Sequence, residues 1–281
     1  MRFKINGTTL NIFEAGIENY NKSGPSLIFL HYFGGSSRAW TEVIAKLATD
    51  FHCVAPDLRG FGASEESWGN CSVKDYADDV ECLIRTLTLE NFVLIGHSMG
   101  GKIALSYAAR NPKGLQSLIL LAPSPPTPEP MRDETRAKLL ASHGNRCAAT
   151  ETVCQAAGAK LSGDVFERSI TDNLRTSRAA WNWWLEAGSR EDISAEIKKI
   201  SVPVLVAAGE NDDAMTPKLL DKEIARRIEN ACLVVVPETK HLLPLEAPAA
   251  IADLIQKTLS NCRGARSEPR KAVGRDCSGI N

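Results

Sequence analysis

Short, unbroken apolar segments recur along the first half and the last third of the chain. They are rich in Ile, Leu and Val and lie at residues 26–30, 53–56, 92–95, 118–121, 204–208 and 232–236. Unbroken runs are typical of parallel strands that are covered on both faces of a sheet. Residues 8–14 instead alternate apolar and polar positions, which predicts an antiparallel strand at the edge of that sheet.

Amphipathic helices are predicted between these strands. Residues 40–48 carry apolar side chains at the i, i+3, i+4, i+7 spacing of one helical face. Residues 73–87 repeat the pattern behind Ser72, a residue type favoured at helix N-caps. The alternation of strands and helices predicts an α/β fold with a mostly parallel, doubly wound sheet and right-handed crossovers.

The alternation stops after residue 121 and resumes at Val202. Residues 122–130 contain five prolines, which remove backbone donors and fix φ, so this segment is interpreted as a linker. Residues 131–198 then show helical patterns and no strand pattern. We therefore expect a helical segment inserted between two strands of the core.

The expected organisation has three parts. Residues 1–122 and 200–260 form the α/β core, and residues 123–199 form a helical cap, a name used below for these residues. Residues 261–281 are basic, rich in Arg, Ser and Gly and poor in apolar side chains, which predicts a disordered tail.

Composition argues against several classes of protein. Among 281 residues, 33 Lys and Arg nearly balance 34 Asp and Glu, whereas nucleic-acid-binding domains usually carry a basic excess. No apolar run reaches the roughly 18 residues that span a bilayer, and residues 1–7 lack the apolar core of a secretion signal. We therefore expect a cytoplasmic protein without a nucleic-acid or membrane partner. The sequence carries no signal for oligomeric state.

The cysteines do not form a metal or redox motif. None of the eight is paired at C-x-x-C spacing, so the sequence predicts neither a zinc knuckle nor a thioredoxin-type motif. Without an export signal, reduced thiols are the expected state. No metal site is expected from this pattern.

The most informative segment is Gly96-His97-Ser98-Met99-Gly100, which follows a predicted strand and precedes a predicted helix. In this context G-x-S-x-G predicts a nucleophile elbow, a sharp turn that exposes a serine hydroxyl. Glycines two positions before and after the serine avoid clashes that side chains would make there. The helix that follows points its N-terminus at Ser98 and favours a developing oxyanion.

A serine nucleophile needs a base, and a histidine base needs a carboxylate to orient it. Of the five histidines, His241 follows the last predicted strand, at the carboxyl edge of the sheet where sites form. His97 is expected to point away from the serine. The strand at 204–208 is followed by Asp212 and Asp213, and both qualify as the acid. Asp212 is preferred, with Asp213 as the alternative.

Together these segments resemble the α/β-hydrolase fold family of serine hydrolases, over roughly residues 8–258. The resemblance rests on five segments in order along the chain, at residues 31–35, 57–64, 96–101, 209–212 and 241–248. Small esterases, enol-lactonases and cofactor-free haloperoxidases or perhydrolases are the members it suggests. It implies an oxyanion hole formed by the backbone amides of Phe33 and Met99, a small-molecule substrate, and no cofactor or metal ion.

Several aromatic residues are expected near the substrate. Tyr32 stands where the family usually has glycine, so it is expected to narrow the pocket or place a phenol hydroxyl near the substrate. Trp181, Trp183 and Trp184 cannot all share one helical face; some should pack the cap on the core, and Trp181 and Trp184 are candidates to line an apolar pocket. The glycine-rich segment 57–64 lacks the Lys-Ser/Thr pair of a phosphate loop and is interpreted as structural.

The sequence thus predicts hydrolysis of a small carboxylic ester or lactone through Ser98, His241 and Asp212, with an acyl-enzyme. Similar residues serve cofactor-free perhydrolases and C–C bond hydrolases or lyases, and fold does not choose among these reactions. Two other classes stay open, namely a non-catalytic ligand receptor on the same scaffold and a protein that acts through residues 261–281. Ser98 excludes the aspartate nucleophile of related dehalogenases and epoxide hydrolases.

Overall fold

One mostly parallel sheet organises the chain. The computed structural model describes residues 1–20, 24–66, 71–158 and 161–264. The strands in these residues are β1 (Arg2–Ile5), β2 (Thr8–Ala15), β3 (Ser26–Leu30), β4 (Cys53–Pro56), β5 (Phe92–His97), β6 (Leu115–Leu121), β7 (Val204–Gly209) and β8 (Ala231–Val236). They form one sheet in the order β1-β2-β4-β3-β5-β6-β7-β8. Strands β3 to β8 run parallel to one another, and β2 is antiparallel to both β1 and β4.

Helices connect the strands and bury them. They are α1 (Thr41–Leu47), α2 (Val73–Thr86), α3 (Met99–Ala108), α4 (Asp133–Ala141), α5 (Arg146–Ala156), α6 (Gly163–Arg175), α7 (Arg178–Glu186), α8 (Pro217–Leu220), α9 (Leu243–Glu246) and α10 (Pro248–Gly264). Ser72 caps α2 in a reciprocal pair with Asp75. Every residue of β3, β5 and β7 is buried, so both faces of the central strands are covered. The predicted doubly wound α/β fold is confirmed.

The edge of the sheet differs from the prediction. Residues 8–14 belong to β2, which is antiparallel as expected, but β2 is not the edge strand because β1 pairs with its outer side. Asn6 and Gly7, with φ of 45° and 81°, form the two-residue turn between the two strands. Asn-Gly is a strong hairpin signal because both positions take positive φ. The sequence therefore contains the information that predicts β1.

The chain between β6 and β7 contains α4 to α7 and, within its described part, no strand. Helix α7 carries the three cap tryptophans, which are 2%, 8% and 2% exposed. Trp183 stacks on Tyr76 of α2 with ring centroids 4.1 Å apart, whereas Trp181 lies 4.6 Å from Phe33. The tryptophans thus contact different parts of the core, and none faces solvent.

Two further expectations concern the C-terminal tail and membrane-spanning segments. Helix α10 ends at Gly264, beyond the predicted end of the core at residue 260. The rest of the predicted tail, residues 265–281, lies outside the described residues. None of the helices in the described ranges is both long and apolar enough to cross a bilayer.

The loop at residues 57–64 is held by one buried carboxylate. Asp57 accepts hydrogen bonds from the Ser37 amide (2.6 Å), the Ala63 amide (2.8 Å) and the Asn11 side chain (2.9 Å). Burial raises the pKa of Asp57, but the amides of Ala63 and Ser37 outweigh it and hold the pKa below its ordinary value. A Cβ on Gly62 would lie 2.4 Å from this carboxylate. These contacts explain the conformation of the loop, in agreement with its interpretation as structural.

We predict that Asp57→Asn lowers the free energy of unfolding by about 2–3 kcal/mol at pH 7, because an amide replaces a carboxylate that accepts three hydrogen bonds. The folded pKa lies below the reference value of 3.8, so the carboxylate stabilises the protein above that pH and loses its effect as the pH falls through the folded pKa. Urea unfolding at several pH values measures both effects. Asp253→Asn, on the exposed side of α10, is the control. Equal losses for the two variants, or a loss that does not shrink in acid, would contradict the prediction.

Candidate active site

Ser98 occupies the turn between β5 and α3. Its φ of 52° lies in the left-handed region, which L-residues other than glycine rarely adopt. A Cβ on Gly96 would lie 2.6 Å from the Gly100 carbonyl oxygen, and a Cβ on Gly100 would lie 2.4 Å from that of Leu30. The start of α3 therefore packs directly on the ends of β3 and β5, and this close approach requires both glycines of the motif.

Three side chains from three separate segments meet at this turn. The Ser98 Oγ lies 2.9 Å from His241 Nε2, and His241 Nδ1 lies 2.7 Å from Asp212 Oδ2. A carboxylate at Nδ1 selects the tautomer with its proton on that nitrogen, which leaves Nε2 to accept the serine proton. The side chain of His241 is 16% exposed, while that of Asp212 is 1% exposed. The structure thus brings the predicted nucleophile, base and preferred acid into one hydrogen-bonded chain.

The two candidate acids lie in different surroundings. Asp212 Oδ1 accepts hydrogen bonds from the amides of Ala214 and Met215, both at 2.9 Å. Burial raises the pKa of Asp212, but the hydrogen bond and charge of His241, together with these amides, outweigh it and hold the pKa below its ordinary value. The side chain of Asp213 is 86% exposed and pairs with Lys240 at 3.0 Å. Asp212, and not Asp213, is therefore the carboxylate that pairs with His241.

The loops after β7 and β8 carry the acid and the base, and they touch each other. A Cβ on Gly209 would lie 1.9 Å from the Lys240 carbonyl oxygen, so only glycine fits at the end of β7. The amide of Asn211 donates to the Thr239 carbonyl at 2.9 Å. This backbone contact sets the distance between the segments that hold Asp212 and His241.

His97, the residue before the nucleophile, holds the backbone of the base. Its Nε2–H donates to the carbonyl oxygen of His241 at 2.7 Å. His97 is fully buried, and burial, followed by the nearby charge of His241, lowers its pKa to about 3. The ring is therefore neutral and stays a fixed donor. Its ring nitrogen thus bonds to the backbone of His241 rather than to Ser98, and no pattern in the sequence indicates this contact.

His31 orients the loop that follows β3. Its Nδ1–H donates to the Tyr32 carbonyl at 2.8 Å, and its Nε2 accepts from the Leu58 amide at 3.0 Å. The Gly35 amide donates to the same Tyr32 carbonyl at 3.0 Å. Burial lowers the pKa of His31, so the imidazole ring stays neutral and keeps this tautomer. Because the peptide between residues 32 and 33 is planar and trans, fixing the Tyr32 carbonyl also fixes the opposite direction of the Phe33 N–H.

The two amides implied as the oxyanion hole are available as donors. Among the described residues, neither the Phe33 nor the Met99 N–H donates to a protein acceptor. Met99 is the first residue of α3, where N–H groups lack intrahelical partners and the helix dipole favours negative charge. Both amides thus belong to segments that converge on Ser98, one after β3 and one after β5.

The candidate pocket residues lie around the same loop. Tyr32 is 8% exposed and packs on His97, with ring centroids 5.1 Å apart. Burial raises the pKa of its phenol. The rings of Trp181 and Trp184 lie 4.6 Å and 6.3 Å from that of Phe33, so aromatic side chains of the cap cover the loop that follows β3. Contact of these side chains with a substrate stays a prediction.

No group of three or more His, Cys, Asp or Glu side chains in the described ranges is arranged to hold a metal ion. Two surface clefts in the described residues are lined by side chains outside the site around Ser98. One, of about 450 Å³, is lined by polar side chains that include Arg59 and Asp79; the other, of about 400 Å³, lies beside Tyr107. Arg59 and Asp79 already form an ion pair at 2.5 Å, so these two charges in the first cleft neutralise each other.

Comparison with known proteins identifies the class. The alpha/beta hydrolase fold family matches residues 25–144. The AB hydrolase superfamily protein YisY of Bacillus subtilis is 30% identical over 254 residues, which cover 83% of this chain and 90% of that protein. The chain therefore belongs to the alpha/beta hydrolase superfamily, which confirms the family suggested by its motifs.

Two further relatives are similar over most of their length. A bifunctional esterase/perhydrolase of Acinetobacter calcoaceticus is 28% identical over 255 residues, covering 83% of this chain and 91% of that protein. A solved thermophilic esterase from Thermogutta terrifontis is 26% identical, with a TM-score of 0.80 over 93% of this chain and 99% of that one. By contrast, the match to curated relatives that are 38% identical over 100 residues spans only 29% of their length.

We predict that a fluorophosphonate probe labels Ser98, because the hydroxyl lies 2.9 Å from a histidine nitrogen that can take its proton. Mass spectrometry of the labelled peptide locates the adduct. Ser98→Ala should abolish labelling. Ser124→Ala should retain it, although Ser124 is also fully buried and its amide bonds to the Ser98 carbonyl at 2.9 Å. An adduct on any residue other than Ser98 would contradict the assignment.

Proposed function

We propose that the protein is a serine hydrolase that cleaves a small carboxylic ester or lactone. The observation that carries this proposal is the unbroken hydrogen-bonded chain from Ser98 Oγ through both nitrogens of His241 to Asp212, at 2.9 Å and 2.7 Å. A base, an orienting carboxylate and a nucleophile in this geometry constitute the apparatus of acyl transfer.

In the first half of the reaction, Ser98 Oγ attacks the carbonyl carbon while His241 Nε2 takes the hydroxyl proton. The amides of Met99 and Phe33 donate to the oxyanion of the tetrahedral intermediate, and one such donor contributes about 3–4 kcal/mol to the transition state. His241 then returns the proton to the leaving alkoxide, and the acyl group stays on the serine. A lactone is a cyclic ester, so its alkoxide remains attached to the acyl group.

In the second half, water replaces the alcohol. His241 takes a proton from the water, whose oxygen attacks the acyl carbon, and then protonates Ser98 Oγ as the carboxylic acid leaves. Asp212 remains ionised through both halves, because the surroundings that hold its pKa low favour the carboxylate. Its charge stabilises the imidazolium that forms twice in each cycle.

Two observations support a small substrate. Ser98 is only 7% exposed, and the cap places Trp181 and Trp184 beside Phe33, so a bulky acyl group has little access. The activities named for two similar proteins, an esterase and an esterase/perhydrolase, agree with ester chemistry. The second of these also favours perhydrolysis as an alternative, in which hydrogen peroxide rather than water attacks the acyl-enzyme.

A substrate panel tests the proposal. Purified protein is assayed with p-nitrophenyl acetate, butyrate and octanoate and with five- and six-membered lactones, and peracid formation is measured with acetate and hydrogen peroxide. We expect turnover of short esters or lactones that Ser98→Ala abolishes. A folded protein whose Ser98 accepts the fluorophosphonate probe but which turns over neither class would overturn the ester and lactone proposal.

Asp212→Asn should lower kcat by about 10³–10⁴-fold, because an amide cannot hold the required tautomer or stabilise the imidazolium. Asp213→Asn is the matched control, and it should change kcat by less than about threefold, since an exposed ion pair with Lys240 has little effect. Steady-state kinetics on the best ester gives both numbers. Comparable losses in the two variants would contradict the assignment of the acid.

A further inference from the structure

A completely buried lysine lies four residues after the nucleophile. Lys102, in the first turn of α3, has 0% of its surface exposed. Its Nζ donates to the carbonyl oxygens of Thr127 at 3.3 Å and Glu191 at 2.5 Å. Thr127 lies where the chain enters the cap, and Glu191 lies where it leaves. One ammonium group therefore joins both connections of the cap to the helix that begins at the nucleophile.

The two connections also bind each other. The Glu129 amide donates to the Ser189 carbonyl, and the Ile193 amide donates to the Pro126 carbonyl, both at 2.8 Å. They form a paired base of the cap next to the core, which we call the cap stem (residues 123–130 and 189–193). Because its two segments are paired, displacement of one moves the other.

The cap stem is anchored to the core at two further points. The Ser124 amide donates to the Ser98 carbonyl at 2.9 Å. The Glu191 carboxylate accepts from the Val73 amide, with oxygens at 2.9 Å and 3.1 Å, at the N-terminus of α2. Lys102 adds a further connection, because it lies in the first turn of α3 and bonds to both segments of the cap stem.

Stability alone does not explain a lysine at this place. Burial lowers the pKa of Lys102 to about 8, against the opposing charges of Glu129, Glu191 and Asp192, which are the titratable groups that face it. Within the described part of the chain, Lys102 forms no close ion pair, and its Nζ hydrogen bonds go to the carbonyl oxygens of Thr127 and Glu191. A charged group that is buried without a close counter-ion works against folding. Its presence beside Ser98 therefore points to a role in the reaction.

We propose that Lys102 is a positioning residue that fixes the cap stem on the first turn of α3, so that the cap and the Met99 amide keep one geometry above Ser98. This inference rests on the proposed serine hydrolase function. The ammonium is a stronger donor to the two carbonyls than the neutral amine, because charge-assisted hydrogen bonds are shorter and stronger. The cap should therefore be held less firmly once Lys102 loses its proton, above about pH 8.

Lys102→Met tests the role, since methionine fills a similar volume without donating. We expect kcat/KM for the best ester to fall by about tenfold or more, chiefly through kcat. The melting temperature at pH 7 should change little, because removing the buried charge offsets the loss of the donor to the Thr127 and Glu191 carbonyls. The wild-type decrease of kcat/KM above pH 8 should be absent in Lys102→Met and in Lys102→Arg, whose charge persists. Lys113→Met, at an exposed lysine after α3, should behave as wild type.

Acrylamide quenching of tryptophan fluorescence gives a readout that needs no turnover. The cap tryptophans are at most 8% exposed against the core, so a displaced cap should increase quenching. We expect more quenching in Lys102→Met than in wild type at pH 7, and more in wild type at pH 9.5 than at pH 7. A folded Lys102→Met with wild-type kcat/KM, or a decrease near pH 8 that persists in Lys102→Arg, would overturn the proposal.

The two proposals fail separately. If Lys102→Met does not fold, the wild-type quenching series decides, and quenching that is unchanged between pH 7 and 9.5 overturns the role of Lys102. If the protein hydrolyses no ester or lactone, the function proposed above fails, while the quenching measurements still report whether Lys102 holds the cap.

Discussion

The left-handed backbone at Ser98 is the constraint on which the site depends. A non-glycine residue in such a conformation costs about 1–3 kcal/mol and persists only where its surroundings fix it. Both of its peptide groups are held here, since the Ser98 amide donates to the Leu121 carbonyl at 3.0 Å and its carbonyl accepts from Gly101 and Ser124 at 2.8 Å and 2.9 Å. The close approach of α3 at Gly96 supplies the rest. The turn is therefore determined by β6, by α3 and by the entry to the cap together, and the hydroxyl direction follows from it.

Burial divides the histidines near the site into two kinds. His31 and His97 are fully buried, and burial lowers the pKa of both, so they act as neutral groups with fixed donors and acceptors. One sets the direction of the Phe33 amide through Tyr32, and the other holds the backbone of His241. His241 alone combines partial exposure with a carboxylate partner. In the proposed mechanism, this ring carries the proton while its two buried neighbours keep their positions.

Local signals predicted the fold and the segments of the site, whereas long-range contacts could not be predicted. Unbroken apolar runs identified the central strands because burial on both faces leaves no alternation, and β1 was missed although Asn6-Gly7 marks its turn. The elbow followed from its strand-turn-helix context. The sequence left Asp212 and Asp213 open because adjacent loop residues point in different directions, which only the contact between the loops decides. His97 and Lys102 bond to carbonyls 144 and 89 residues away, in segments that no local pattern relates to them.

The cap is fastened to both segments that supply the proposed oxyanion amides. On one side, α6 reaches the chain just after Phe33, where Asp172 accepts from the Ser36 hydroxyl at 2.7 Å and pairs with Arg38. On the other side, Lys102 holds the cap stem at the start of α3, where Met99 lies. A change that shifts the cap therefore moves at least one donor relative to Ser98, and small displacements of such donors strongly reduce catalysis. In the proposed mechanism, the position of the cap and the positions of both oxyanion donors therefore depend on the same contacts, so a cap substitution remote from Ser98 is expected to change kcat as well as KM.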